Sequence, residues 1–248
     1  EMQKGLLYAR KVGPQQALDL LLIALRETKN DFVRATAAVG LGQIQGADEK
    51  VNEACLDELL LLLQNDPDYG VRSAAAAGCG YLGNARAVDA LTRSYYEESE
   101  WQVIFSVVVA LGNIKDKRAV QTLLDALKAE NDLIVQGAIG ALSEIGDPDN
   151  LDVLLQLVDS EDIMTRQRLA MGLSSFTAEK KVIDALWQLS QDMFGLVADA
   201  ARDSLTVLGV SEQELESRND ALDETREARD LLERTFSMES SADGDEEE

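Results

Sequence analysis

Histidine is missing from all 248 residues. With it go the commonest general base, the Ser and Cys triads that depend on an imidazole, and most zinc sites. Cysteine is almost as scarce: Cys55 and Cys79 are the whole complement. Two thiols are too few for a disulfide framework, or for the four that an iron–sulfur cluster usually takes, and they fit a reducing compartment. Only three prolines occur, and aromatic residues make up 5% of the chain, so a strand-rich architecture is disfavoured and a helical one favoured. No apolar run, Leu59 to Leu63 included, approaches bilayer-spanning length, which predicts no membrane insertion. A glycine-rich phosphate loop is also lacking. The chain starts at Glu1 without a signal-peptide pattern, which reads as a processed or cut beginning.

Basic residues are outnumbered two to one, 23 against 46, for a formal charge of −23. The last 37 positions alone carry a net −11. That charge repels phosphate backbones and anionic lipid, so nucleic acid and membrane surfaces are poor partners, and a basic protein surface is the better match. Carboxylates are too numerous for any pair to stand out as an acid and base couple.

What the chain does contain is a repeat. VALGNIKD around Leu111 is answered by GALSEIGD around Leu142. Extended in both directions, the anchor falls on Leu41, Cys79, Leu111, Leu142, Leu173 and Leu205, at spacings of 38, 32, 31, 31 and 32. Seven or eight residues before each anchor lies a Val-Arg pair or its relic, as at Val33-Arg34, Val71-Arg72 and Thr165-Arg166. A period near 31 marks a solenoid, whose units bury their apolar faces against one another. The first interval is longer, and the surplus falls in the polar run Gln45 to Lys50, read as an enlarged turn. Carried backwards, the phase places Met2 to Val12 in an earlier half-unit.

Each unit opens with a helix whose apolar slots recur on one face: Ala17, Leu18, Leu21, Leu22 and Leu25, then Cys55, Leu56, Leu59, Leu60 and Leu63, then Ala119, Val120, Leu123, Leu124 and Leu127. A turn rich in Asn, Asp and Glu follows, able to cap the second helix. On that helix Val33, Ala37, Ala38 and Ile44 share the side of Leu41, whereas Thr36, Val39 and Gln43 point away. Arg34 falls on the packed side, where its guanidinium can bridge to the acidic turn of an adjacent unit. The same slot gives Arg72 and Arg166, so these three are expected to form a structural ladder. Cys55 and Cys79 occupy packing slots and are expected to be buried thiols.

The V-R-x-x-A-A-x-x-L-G motif after an acidic turn, with an A-L-x-x-L-L helix at this period, resembles the HEAT repeats. More narrowly it resembles the HEAT-like repeats of the phycobilisome lyase type, over roughly Met2 to Gly209. The resemblance implies an all-α fold: a right-handed α-solenoid of about six helix pairs over residues 1–210. A C-terminal helix or cap is then expected over 211–237, opened by a Ser211/Glu214 capping box, and a disordered acidic tail over 238–248. It also implies that the second helices line a concave face, whose outward slots carry Val39, Tyr81, Phe105 and Val109 with Trp101 at the edge. That apolar and aromatic strip is the expected partner-binding surface.

The function expected is a non-catalytic scaffold or assembly factor that binds a protein partner and needs no cofactor. The resemblance leaves two alternatives: a bilin lyase-like protein acting on a bilin-carrying partner, or a factor in iron–sulfur or photosynthetic-complex assembly. It implies a cytoplasmic or plastid-stromal setting.

Overall fold

In the computed structural model, residues 12–211 are described, together with Gln213, Glu214 and Ser217. Twelve α-helices fall among these residues, and no strand. They pair in chain order: α1 (Pro14–Glu27) with α2 (Asp31–Gly42), α3 (Glu49–Asn65) with α4 (Tyr69–Leu82), and α5 (Val88–Glu97) with α6 (Trp101–Ile114). The series continues with α7 (Val120–Ala126) and α8 (Asp132–Ile145), α9 (Leu151–Leu155) and α10 (Ile163–Leu173), and α11 (Lys180–Ser190) and α12 (Gly195–Val207). The even-numbered helices stack on one another from α2 to α12, and the odd-numbered helices cover them as a second, looser layer. This is an all-α solenoid.

The core runs the whole length of the array. Leu41, Cys79, Leu111, Leu142, Leu173 and Leu205 are each 0% exposed, so the anchor slot is the buried centre of every pair. Burying one such leucine stabilises by about 1.5–3 kcal/mol. On the odd helices Ala17, Leu18, Leu21 and Leu25 are buried, as are Cys55, Leu56, Leu59 and Leu63, while Leu22, Leu60 and Leu124 lie half-buried at the stripe's margin. Val33, Ala37 and Ala38 are buried beside Leu41. Ile44 is not on the helix at all, because α2 ends at Gly42.

Polar turns start the helices, as the Asn and Asp content predicts. Asn30, Asp68, Asn131 and Asp162 accept hydrogen bonds from the first-turn amides of α2, α4, α8 and α10. Asp48, Asn84, Asp116 and Asp147 cap the odd side in the same way. The six-residue surplus is divided: part enlarges the turn after Gly42, and part lengthens α3, which Asp48 caps so that Glu49 and Lys50 are already helical. By contrast α7 and α9 are short, and beyond them the chain tightens into i→i+3 bonds such as Ala129 N–H to Ala126 O and Leu157 N–H to Leu154 O. Leu127 therefore sits in a turn.

Neighbouring even helices cross where side chains are smallest. A Cβ added at Gly42 would lie 2.5 Å from the Gly78 carbonyl oxygen, one at Gly80 would lie 2.8 Å from Ala110 Cα, and one at Gly112 would lie 2.6 Å from Ala141 Cα. At the next crossing the roles exchange: Ser143 takes the glycine slot and packs onto Gly172. Farther along, Ser204 donates to the Ala170 carbonyl at 2.8 Å.

At the C-terminal side of the array, the Ser211 N–H donates to Glu214 Oε2 at 3.1 Å and the Glu214 N–H donates to Ser211 Oγ at 3.3 Å, a reciprocal capping pair. The rest of the helix expected to reach 237, the tail 238–248 and residues 1–11 lie outside the described residues.

Candidate partner-binding surface

The outward slots of the even helices differ widely in exposure. Tyr81 is 55% exposed and Trp101 42%, whereas Val39, Phe105 and Val109 are half-buried. Phe105 is held by its neighbour: a Cβ at Gly137 would sit 3.2 Å from Phe105 Cε2, so the ring of α6 lies over the bare backbone of α8. Arg168 covers Gly140 in the same manner. Between Val39 and Phe105 the polar slots satisfy each other, Ser73 and Ser106 sharing a 2.7 Å hydrogen bond. The middle of the face is thus apolar, while outward slots farther along carry exposed polar side chains such as Asn113 and Glu144.

The five strip residues do not form one cluster. Tyr81 closes α4 and Trp101 opens α6, and these helices run in the same direction, so the two rings are offset by about 18 Å along the helix axes. Phe105 and Val109 occupy the middle. Trp101 instead shares its slot with Tyr69, the first residue of α4.

The three arginines make inter-unit ion pairs. Arg34 grips Asp66 through Nε at 2.8 Å and Nη2 at 3.0 Å, and its Nη1 donates to the Lys29 carbonyl. Arg72 holds Glu98 at 2.7 and 3.1 Å, and Arg166 holds Asp192 at 2.6 and 3.2 Å. The side chains of these pairs are between 6% and 17% exposed, and the two-point geometry suits a guanidinium and not an ammonium. The Arg72 hydrogen bond holds Glu98 below the usual carboxylate range, and Arg166 does the same for Asp192. At Asp66 burial opposes the charge, but the hydrogen bonds from Arg34 and the Asp68 amide outweigh it and the carboxyl is again lowered. Arg166 also lies 5.9 Å from the ring centre of Phe194. Ile104, Val135 and Ala198 stand in the arginine slot elsewhere, and at α8 Gln136 substitutes, donating to Asp162 at 3.2 Å.

Both thiols are fully buried. Desolvation pushes Cys55 up to about 11 and Cys79 up to about 12, so neither supplies a thiolate near neutral pH. Among the described residues no cluster of His, Cys, Asp and Glu is placed to hold a metal ion, and no helix is long and apolar enough to cross a membrane.

One recurring feature escapes the sequence reading. Phe32, Tyr69, Trp101, Leu133, Met164 and Leu196 are all exposed, and each sits in the opening turn of an even helix. A large apolar residue one or two places before each Val-Arg pair or relic was the available signal.

Comparison with known proteins agrees with this architecture. The HEAT repeats family matches residues 56–143 and 136–206. A phycobilisome maturation protein of Synechococcus elongatus is 40% identical over 80 residues, which is 30% of this chain and 39% of that protein. The match therefore spans well under half of the relative. Among solved structures, the Escherichia coli protein YibA superposes with a TM-score of 0.53 at 18% identity, covering 79% of this chain and 82% of its own. An engineered protein gives 0.52 at 19% identity, covering 77% and 96%. At those identities the structural likeness speaks for the fold alone. With the family match extending over more than half its length, the chain belongs to the HEAT-repeat proteins.

Proposed function

We propose that this protein is a non-catalytic scaffold that binds a phycobilisome protein during assembly, using the outward face of its even helices. The observation that carries the reading is Tyr81, an aromatic side chain 55% exposed beside the apolar floor of Val39, Phe105 and Val109. Aromatic anchors of this kind dominate protein interfaces. The kind of partner is suggested by the relative, which is named a phycobilisome maturation protein. A scaffold also fits the chemistry at hand, with no histidine in the sequence and both thiols buried and protonated.

Titration of purified phycobiliprotein subunits, with and without bilin, into the full chain tests this. Saturable binding that is lost in Tyr81→Asp, with helical circular dichroism unchanged, is the expected result. Equal binding by wild type and variant, or none by either, rejects it. Free bilin is the discriminating arm: a saturable red shift lost in Phe105→Ala would move the reading to chromophore handling.

A further inference from the structure

A large apolar side chain facing solvent gains no burial energy, and singly it needs no explanation. Here one recurs in the opening turn of all six even helices: Phe32 at 62% exposure, Tyr69 at 45%, Trp101 at 42%, Leu133 at 46%, Met164 at 45% and Leu196 at 52%. Four of the five steps between successive turns are bridged along one edge. Arg34 reaches Asp66, Arg72 reaches Glu98, Gln136 reaches Asp162 and Arg166 reaches Asp192, in each case from one turn to the next. At an interaxial spacing of about 8–10 Å, the row extends for roughly 40–50 Å.

The charge of this edge is predominantly acidic. Its arginines are closed onto their partners, with side chains only 12–17% exposed, and Lys29 and Lys128 are its exposed cations, the latter beside Asp125. The carboxylates of Asp31, Glu97, Glu130, Asp132 and Glu161 face solvent, and that of Glu100 partly so. Capping does not account for them, since Asn30, Asp68, Asn131 and Asp162 accept the helix-opening amides.

We infer that the edge formed by the six intra-pair turns is a second docking surface, built for an amphipathic helix with lysine or arginine flanking an apolar stripe. Positions seven apart on a helix are about 10.5 Å from each other, close to the pitch of the row, so successive apolar side chains of the guest meet successive rungs. The intervening carboxylates receive its cations. The surface is independent of Tyr81, Val39, Phe105 and Val109; Trp101, expected at the strip's margin, belongs to this row instead.

The probe is a fluorescein-labelled synthetic helix with leucine at every seventh position and lysines beside it, titrated into the full chain. A scrambled peptide of equal composition is the control. Expected are saturable binding with a blue shift of Trp101 emission, weakening as salt rises, and a loss of about tenfold or more in affinity in Tyr69→Ser/Trp101→Ser and in Glu97→Lys/Glu130→Lys. Tyr81→Asp should bind as wild type, which separates this surface from the one proposed above. Circular dichroism confirms that the variants fold. No binding, equal affinity for the scrambled peptide, or unchanged affinity in the folded edge variants would overturn the inference.

Discussion

Ser143 packs onto Gly172, while Gly42, Gly80 and Gly112 meet Gly78, Ala110 and Ala141. At each of these four crossings at least one partner is glycine, and the sum of the two side chains is what the spacing tolerates. Adding a methyl where no volume is free forces backbone shifts that cost about 1–3 kcal/mol. Gly112→Ala should therefore lower stability by about that amount in urea or thermal unfolding. Gly172→Ala should do likewise, and Ser143→Gly should restore part of the loss, because the two residues share one gap. Failure of that rescue would show that the crossing does not depend on their combined volume. Such complementarity was not visible from the sequence, where Ser143 of GALSEIGD simply stands in the place of the glycine of VALGNIKD. Its partner lies in the next unit and is recognised only once the helices are superposed. The buried positions were legible, since Leu41, Leu111 and the two cysteines repeat with a period that leaves one solution. Exposure was not: Phe32 and Tyr69 are apolar, and apolarity alone does not distinguish a packed ring from a displayed one.

Helices in this chain are opened by side chains that also join the pairs. Asp68 caps α4 and Asp162 caps α10, so Asp68→Ala should cost about 1 kcal/mol. The corresponding helix α6 has no side-chain cap from Glu100, and Glu100→Ala should be close to neutral by the same measurement. The ion pairs make a second prediction. Glu98 and Asp192 have carboxyls lowered by their arginines, and Asp66 is lowered despite its burial. The stability from a lowered carboxyl is fully present above its unfolded value, near 3.8 for Asp and 4.5 for Glu, and is lost as pH falls through the folded value. The melting temperature should accordingly hold down to about pH 5 and drop below about pH 4. In Arg72→Gln that acid drop should be shallower, and the variant should already be less stable at neutral pH. An identical acid profile in the two proteins would exclude the pair as a source of the pH dependence. The expected arginine slots could be read from the Val-Arg motif, yet the Gln136 to Asp162 bond, one residue out of register, could not.

At the scale of the whole molecule the two layers differ in thickness. Even helices approach backbone to backbone at Gly42 and Gly112, whereas the odd helices, whose Leu21 and Leu59 pack on Gly40 and Gly78 of the even layer, touch one another only sparsely. A strip with one short face and one long face must curl toward the short one, and its radius is then set by side-chain volume at a handful of crossings. Swelling several of them together, as in Gly42→Ala/Gly80→Ala/Gly112→Ala, should open the arc and raise the radius of gyration in small-angle scattering while helix content holds. An unchanged radius would assign the bend to another cause. On the scaffold reading proposed above, the breadth of the outward face is thus a quantity that can be dialled one methyl group at a time, without touching Tyr81 or the apolar side chains around it.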